Sequence, residues 1–160
     1  MLQWIGGALL FGSACCLGWH YAGIEEGRVR QTEGFLLLVR HIRTRIVCFC
    51  DPIERIYADF QNPALEACGF LPAMRAGGLA DALQACKDRL YIGEEEMRTL
   101  AAFGAELGKS DTAAQAAVCD YTMKEIEAVL LRRKEEAPRR ARAARSLGVC
   151  GGLALLILLF

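Results

Sequence analysis

The charged side chains of this chain are confined to its middle. All nineteen Lys and Arg and all nineteen Asp and Glu lie between Glu25 and Arg145. The first 24 residues, MLQWIGGALLFGSACCLGWHYAGI, and the last 15, SLGVCGGLALLILLF, carry none. A helix rises about 1.5 Å per residue and the hydrocarbon core of a bilayer is about 30 Å thick, so the first run is long enough to cross a membrane. The second reaches only about 22 Å on the same rise, and needs local thinning or extra length from its flank. Ala141, Ala143 and Ala144 can supply that length while Arg142 and Arg145 reach back to the headgroups. The pattern predicts transmembrane helices at 1–24 and 146–160, with a polar domain at 25–145 between them.

Orientation follows from the basic residues beside each anchor. Arg28, Arg30, Arg40, Arg43 and Arg45 follow the first anchor. Arg132, Arg133, Lys134, Arg139, Arg140, Arg142 and Arg145 precede the second, opposed there by Glu135 and Glu136. The middle is therefore expected in the cytoplasm and both ends away from it. A cleaved signal peptide would begin with a basic region, which is absent here. Ser13-Ala14-Cys15 is a poor lipoprotein site because Gly12 stands where Leu is expected.

The middle has the length of one domain with its own core. With charges balanced it has no basic excess to hold a phosphate backbone, which argues against nucleic acid as a partner. The basic run at 132–145 reads instead as a topology signal beside anionic headgroups. The eight cysteines include no Cys-x-x-Cys, and only His20 and His41 could join them, so a zinc set cannot be assembled locally. On the cytoplasmic side the thiols stay reduced, and most are expected as small buried hydrophobes. No metal or other cofactor is expected.

Apolar periodicity in the middle is helical throughout, with no strand-like alternation. Phe35, Val39, Ile42 and Ile46 form a stripe opposite Arg40, Arg43 and Arg45. Asp51-Pro52-x-Glu54 predicts a helix start, with Asp51 as cap and Glu54 as its box partner. Asn62-Pro63 is expected to end that helix. Gly69, Pro72, Gly77 and Gly78 mark a looser stretch. Leu79, Leu83, Cys86 and Leu90 give the next stripe. Glu94, Glu95 and Glu96 sit where a helix dipole favours acids, ahead of the apolar face Met97, Leu100, Phe103 and Leu107. Gly108 is a natural stop. Ser110-Asp111-Thr112 begins the last long helix, with Thr112-x-x-Gln115 as a capping box, and Pro138 is expected to interrupt or kink it. The expected fold is all-α, an antiparallel helical bundle.

Nothing in the chain points to catalysis. It has no G-x-x-x-x-G-K-[ST] loop, so it is not expected to be a P-loop ATPase. His41 lies among arginines without a nearby carboxylate and reads as solvated. A non-enzymatic role without a small-molecule substrate is expected. In the anchors, Gly148-x-x-x-Gly152, Ala8-x-x-x-Gly12 and Ala14-x-x-x-Gly18 have the spacing that lets helices approach closely in a membrane.

The stretch Phe103-Gly104-Ala105-Glu106-Leu107-Gly108-Lys109-Ser110-Asp111, with Gln115 four residues on, resembles one family, stage III sporulation protein AB of endospore-forming bacteria. Arg145-Ser146-Leu147-Gly148-Val149-x-Gly151, leading into a Leu-rich terminus, is similar to the family's closing anchor, and the start at Met1-Leu2 followed by an apolar helix matches its plan. That resemblance implies a trimmed relative of the inner-membrane platform proteins of type II secretion and type IV pilus machines. Its members belong to a channel-like complex between mother cell and forespore. It further implies a place in the mother-cell membrane around the forespore and a secretion-type ATPase, stage III sporulation protein AA, as partner beside other members of the complex. The alternative is a platform-like assembly protein of a secretion or pilus system in growing cells. Within the resemblance, Phe103, Gly104, Leu107, Gly108, Ser110, Asp111 and Gln115 form either a tight turn between helices or a partner contact. Gly148 and Gly152 are the candidates for membrane-helix packing.

Overall fold

The computed structural model describes residues 2–159 along the backbone and the side chains of 12–154 and 157. Among the described residues six α-helices follow one another: α1 (Leu2–Thr44), α2 (Ile53–Asp59), α3 (Pro63–Ala67), α4 (Phe70–Ala85), α5 (Glu94–Glu106) and α6 (Thr112–Leu159). A π-helical turn, Arg45–Phe49, extends α1, and a 3-10 turn, Lys87–Arg89, follows α4. No strand occurs among the described residues, so the all-α expectation holds. The chain forms two compact units, Met1–Gly27 with Arg133–Phe160, and Arg28–Arg132; α1 and α6 contribute to both. Among the described residues no helix is long and apolar enough to cross a membrane. The charge-free runs at 1–24 and 146–160 include residues whose side chains lie outside the described ones.

In the unit Arg28–Arg132 the core is built on the expected stripe of α1: Phe35, Val39, Ile42 and Ile46 are all buried. Phe70 of α4 meets Phe35 edge-on with ring centroids 4.9 Å apart, the arrangement aromatic quadrupoles favour. α4 packs on α2, α3 and α5, and Leu79, Leu83, Cys86 and Leu90 are buried as the stripe predicts. α1 and α6 run antiparallel here, because Arg43 pairs with Asp120 (2.6 Å) while Arg40 pairs with Glu127 (3.2 Å).

Several local readings change in the structure. Asp51 caps nothing; α2 begins after Pro52 without a side-chain cap, and Asp51 instead binds Arg45 at 3.0 Å and Arg55 at 3.7 Å. Two guanidinium groups hold a carboxylate more strongly than one backbone N–H does. Arg45 also reaches Asp59 and lies 5.5 Å from the Phe49 ring centre, so one side chain staples the π-turn to α2. Asn62-Pro63 starts a helix rather than ending one. The Asn62 side chain accepts from the N–H groups of Ala64 and Leu65, both at 3.1 Å, and Pro63 takes the first helical position, where its missing N–H costs nothing. The stretch expected to be loose is largely helical, with Pro72 and Gly77 inside α4, but two of its glycines do mark turns: Gly69 (φ 79°) separates α3 from α4, and Gly78 (φ 87°) kinks α4. Pro138 does not stop α6, which continues to Leu159. Ala137 and Ala141 on either side of it are buried, and that packing offsets the missing hydrogen bond.

Candidate functional site

The Phe103–Gln115 stretch is first a structural corner. Phe103 is 2% exposed and belongs to the core. Gly104 faces α4 closely: a Cβ there would lie 3.1 Å from a Leu79 methyl, so the small residue sets how near α5 and α4 approach. Leu107, half-buried, ends α5, its N–H donating to the Phe103 carbonyl at 3.2 Å. Gly108 then takes φ +81°, a left-handed conformation that glycine adopts without strain. Ser110 and Asp111 are exposed. Asp111 caps α6, its Oδ1 accepting from the Ala114 N–H at 3.4 Å. The expected Thr112–Gln115 box is not formed. Gln115 turns its amide to the Ser110 carbonyl at 2.8 Å because Asp111, one residue earlier, already occupies the cap.

Gly108→Ala is expected to cost about 1–3 kcal/mol, mostly from forcing a Cβ into positive φ. The atom it would crowd, Ile53 Cδ1 at 2.9 Å, ends a side chain that can rotate away. Urea unfolding of the full chain in detergent measures the loss, and a Gly108→Asn variant should recover part of it, because Asn tolerates the left-handed region.

In the unit formed by the two ends, small residues bring α1 and α6 together. A Cβ on Gly18 would lie 2.8 Å from the Ala144 carbonyl oxygen, and one on Gly148 would lie 2.9 Å from that of Ala14. The two glycines face each other: a Cβ on either would come within 3.3 Å of the other's Cα. Ala22, Ala137, Ala141 and Gly152 are buried along the same pair of helices. Ala14, Gly18, Ala144 and Gly148 thus lie where α1 and α6 face each other. Glu26 accepts from Arg145 at 3.2 Å in this unit. Gly12 has nothing within 4 Å, and Ala8, the other half of that expected pair, lies outside the described side chains.

A profile of stage III sporulation protein AB matches residues 3–160, nearly the whole chain. The chain belongs to the stage III sporulation protein AB family. No curated protein and no solved structure matches it. Family membership assigns it a role in stage III of sporulation.

What sequence reasoning missed in this chain is a buried polar cluster. Gln31, Thr32 and Glu96 are 5%, 1% and 4% exposed. The Thr32 hydroxyl donates to Glu96 Oε1 at 2.9 Å, and Glu96 Oε2 accepts from the Gly93 N–H at 2.7 Å. Gln31 accepts from the Tyr91 N–H at 2.6 Å and donates to the Arg89 carbonyl at 3.4 Å. Read along the sequence, Glu96 is the third acid of a helix start; nothing there shows that a threonine sixty-four positions earlier meets it.

The expectation that most cysteines are buried does not hold. Cys68, Cys86 and Cys119 are buried, whereas Cys15 is half-buried and Cys16, Cys48, Cys50 and Cys150 are exposed, and all of them are free thiols. Burial, with Asp120 adjacent, pushes the Cys119 thiol up to about 11. Burial also raises Cys68. Among the described residues no group of His, Cys, Asp and Glu is placed to hold a metal.

His41 is not the solvated side chain expected. Its ring lies 5.4 Å from that of Phe60, and Nε2 is buried without a partner among the described residues. Burial and, next, Arg45 lower its pKa, against smaller upward pulls from a backbone hydrogen bond at Ile56 and from Asp59. The unfolded chain therefore binds a proton that the folded chain resists. Stability is full above the ordinary histidine pKa, falls as pH drops through it, and levels off below the lowered folded value. Urea midpoints between pH 7.5 and 5 should show this slope in the wild type and a shallower one in His41→Gln.

Proposed function

We propose that the chain is a non-enzymatic membrane platform of the stage III sporulation machinery. Its apolar ends anchor in the mother-cell membrane around the forespore. Its central helical unit faces the cytoplasm and docks a secretion-type ATPase, stage III sporulation protein AA, within the channel-like complex. The observation that carries this reading is the inside-out pattern of the unit formed by the ends. Among its described side chains the buried ones are small, Gly18, Ala22, Ala137, Ala141 and Gly152, while Leu17, Trp19, Leu147 and Ile157 are 67%, 69%, 72% and 76% exposed. Water penalises so much outward apolar surface; lipid accepts it, and small residues at the seam are how helices pack in lipid. Trp19 and Tyr21, both outward, suit the headgroup level. A platform needs no chemistry of its own, and the chain has no phosphate-binding loop.

The test is purification of the tagged full-length chain in detergent from sporulating cells. Co-purification of the ATPase and loss of spores on deletion are expected. A chain that extracts without detergent, or one that retains no ATPase and whose deletion leaves sporulation intact, contradicts the reading.

A further inference from the structure

The buried polar cluster serves one loop. Gln31 holds the backbone at Arg89 and Tyr91, and Thr32, through Glu96, holds it at Gly93. Glu96 accepts from the Gly93 N–H as the return bond of a capping box on α5, and Gln31 satisfies the Tyr91 N–H and the Arg89 carbonyl, backbone groups that apolar side chains here would leave unpaired. What the hydrogen bonds add is one fixed path for the backbone at residues 89–93. The outer side of that path, with the start of α5, forms an open recess of about 290 Å³ lined by Lys87, Ile92, Gly93, Glu94, Met97 and Arg98. Ile92 and Met97 are half-buried and give it an apolar, adaptable lining. Lys87 and Arg98 are exposed, and among the described residues neither has a hydrogen-bond or ion-pair partner.

We propose that this recess is a docking site for a protein segment presenting a large apolar side chain beside a carboxylate. The volume admits one such side chain, and Lys87 and Arg98 outnumber Glu94 on the lining, so its net positive charge complements an acid next to that side chain. Glu94 on the same lining disfavours a run of phosphates, so an isolated carboxylate suits the recess better than a nucleic-acid backbone. That the segment belongs to the ATPase rests on the platform reading; the chemistry of the recess does not.

The test uses the full-length chain in detergent with ¹³C-methyl methionine. The probes are two blocked peptides, Phe-Asp-Asp and Phe-Lys-Lys. The acidic peptide is expected to shift the Met97 methyl signal and leave buried Met74 unmoved, with affinity at least tenfold above that of the basic one. The double variant Lys87→Glu/Arg98→Glu, at two exposed positions, should keep the circular dichroism spectrum and lose at least tenfold in affinity for the acidic peptide. No Met97 shift, equal response to both peptides, or unchanged affinity in the double variant overturns the proposal. An ATPase that binds the wild type and the double variant equally shows that it does not use this recess while leaving the platform reading intact. An ATPase that binds neither defeats the platform reading, whatever the peptides do.

Discussion

Phe103→Ala lowers the stability of the chain by about 3–5 kcal/mol, the range for emptying a phenylalanine site in a packed core. The ring is 2% exposed and belongs to the core cluster that includes Phe35, Phe70 and Leu100, so its removal leaves a cavity in packed surroundings. Urea unfolding followed by circular dichroism on the full chain in detergent gives the loss directly. The neighbouring exposed positions behave differently: Lys109→Ala stays within about 0.5 kcal/mol, and Asp111→Ala loses about 1 kcal/mol with its helix cap. A stable Phe103→Ala protein that fails only in binding would return Phe103 to the role of a contact residue. The expected order instead makes Phe103 the anchor of the corner and leaves Lys109, Ser110 and Asp111 as its outward face.

Gly148→Leu separates α1 from α6 in the unit formed by the chain ends. The new Cβ would meet the Ala14 carbonyl oxygen at 2.9 Å and the Gly18 Cα at 3.3 Å. Both are backbone atoms, which cannot rotate aside, so the helices themselves must move. Spin labels at Leu17 and Val149, both outward-facing, should report a longer and broader distance distribution in a cysteine-free background. Gly151→Leu is the control, because nothing lies within 4 Å of a Cβ there. It should keep the wild-type distance, and equal behaviour of the two variants would refute the seam.

The apolar stripes were legible because burial of a helix face needs only a repeat of three to four residues, and that repeat is local. Phe35 through Ile46, Leu79 through Leu90 and the core of α5 all follow it. Gly148 was legible for a similar reason, since small-residue spacing along a helix is visible in the chain; that its counterpart is Gly18 was not. Capping was read less well, because it is a competition among nearby groups. Asp51 had a stronger offer from Arg45 and Arg55, and Gln115 was displaced by Asp111. The cluster of Gln31, Thr32 and Glu96 was illegible. Its bonds join positions about sixty residues apart, and polar residues on a helix read as surface until the fold covers them.

The most direct test of a cytoplasmic unit held by two membrane-buried ends uses the native thiols of the π-turn. Cys48 and Cys50 are exposed, whereas the raised pKa of Cys119 keeps it unreactive near neutral pH. A variant retaining Cys48 and Cys50 alone is treated with a membrane-impermeant maleimide in cells stripped of their wall. The expected result is no labelling while the membrane is intact and full labelling once it is permeabilised. Labelling of intact cells, or recovery of the chain in the soluble fraction, would contradict it.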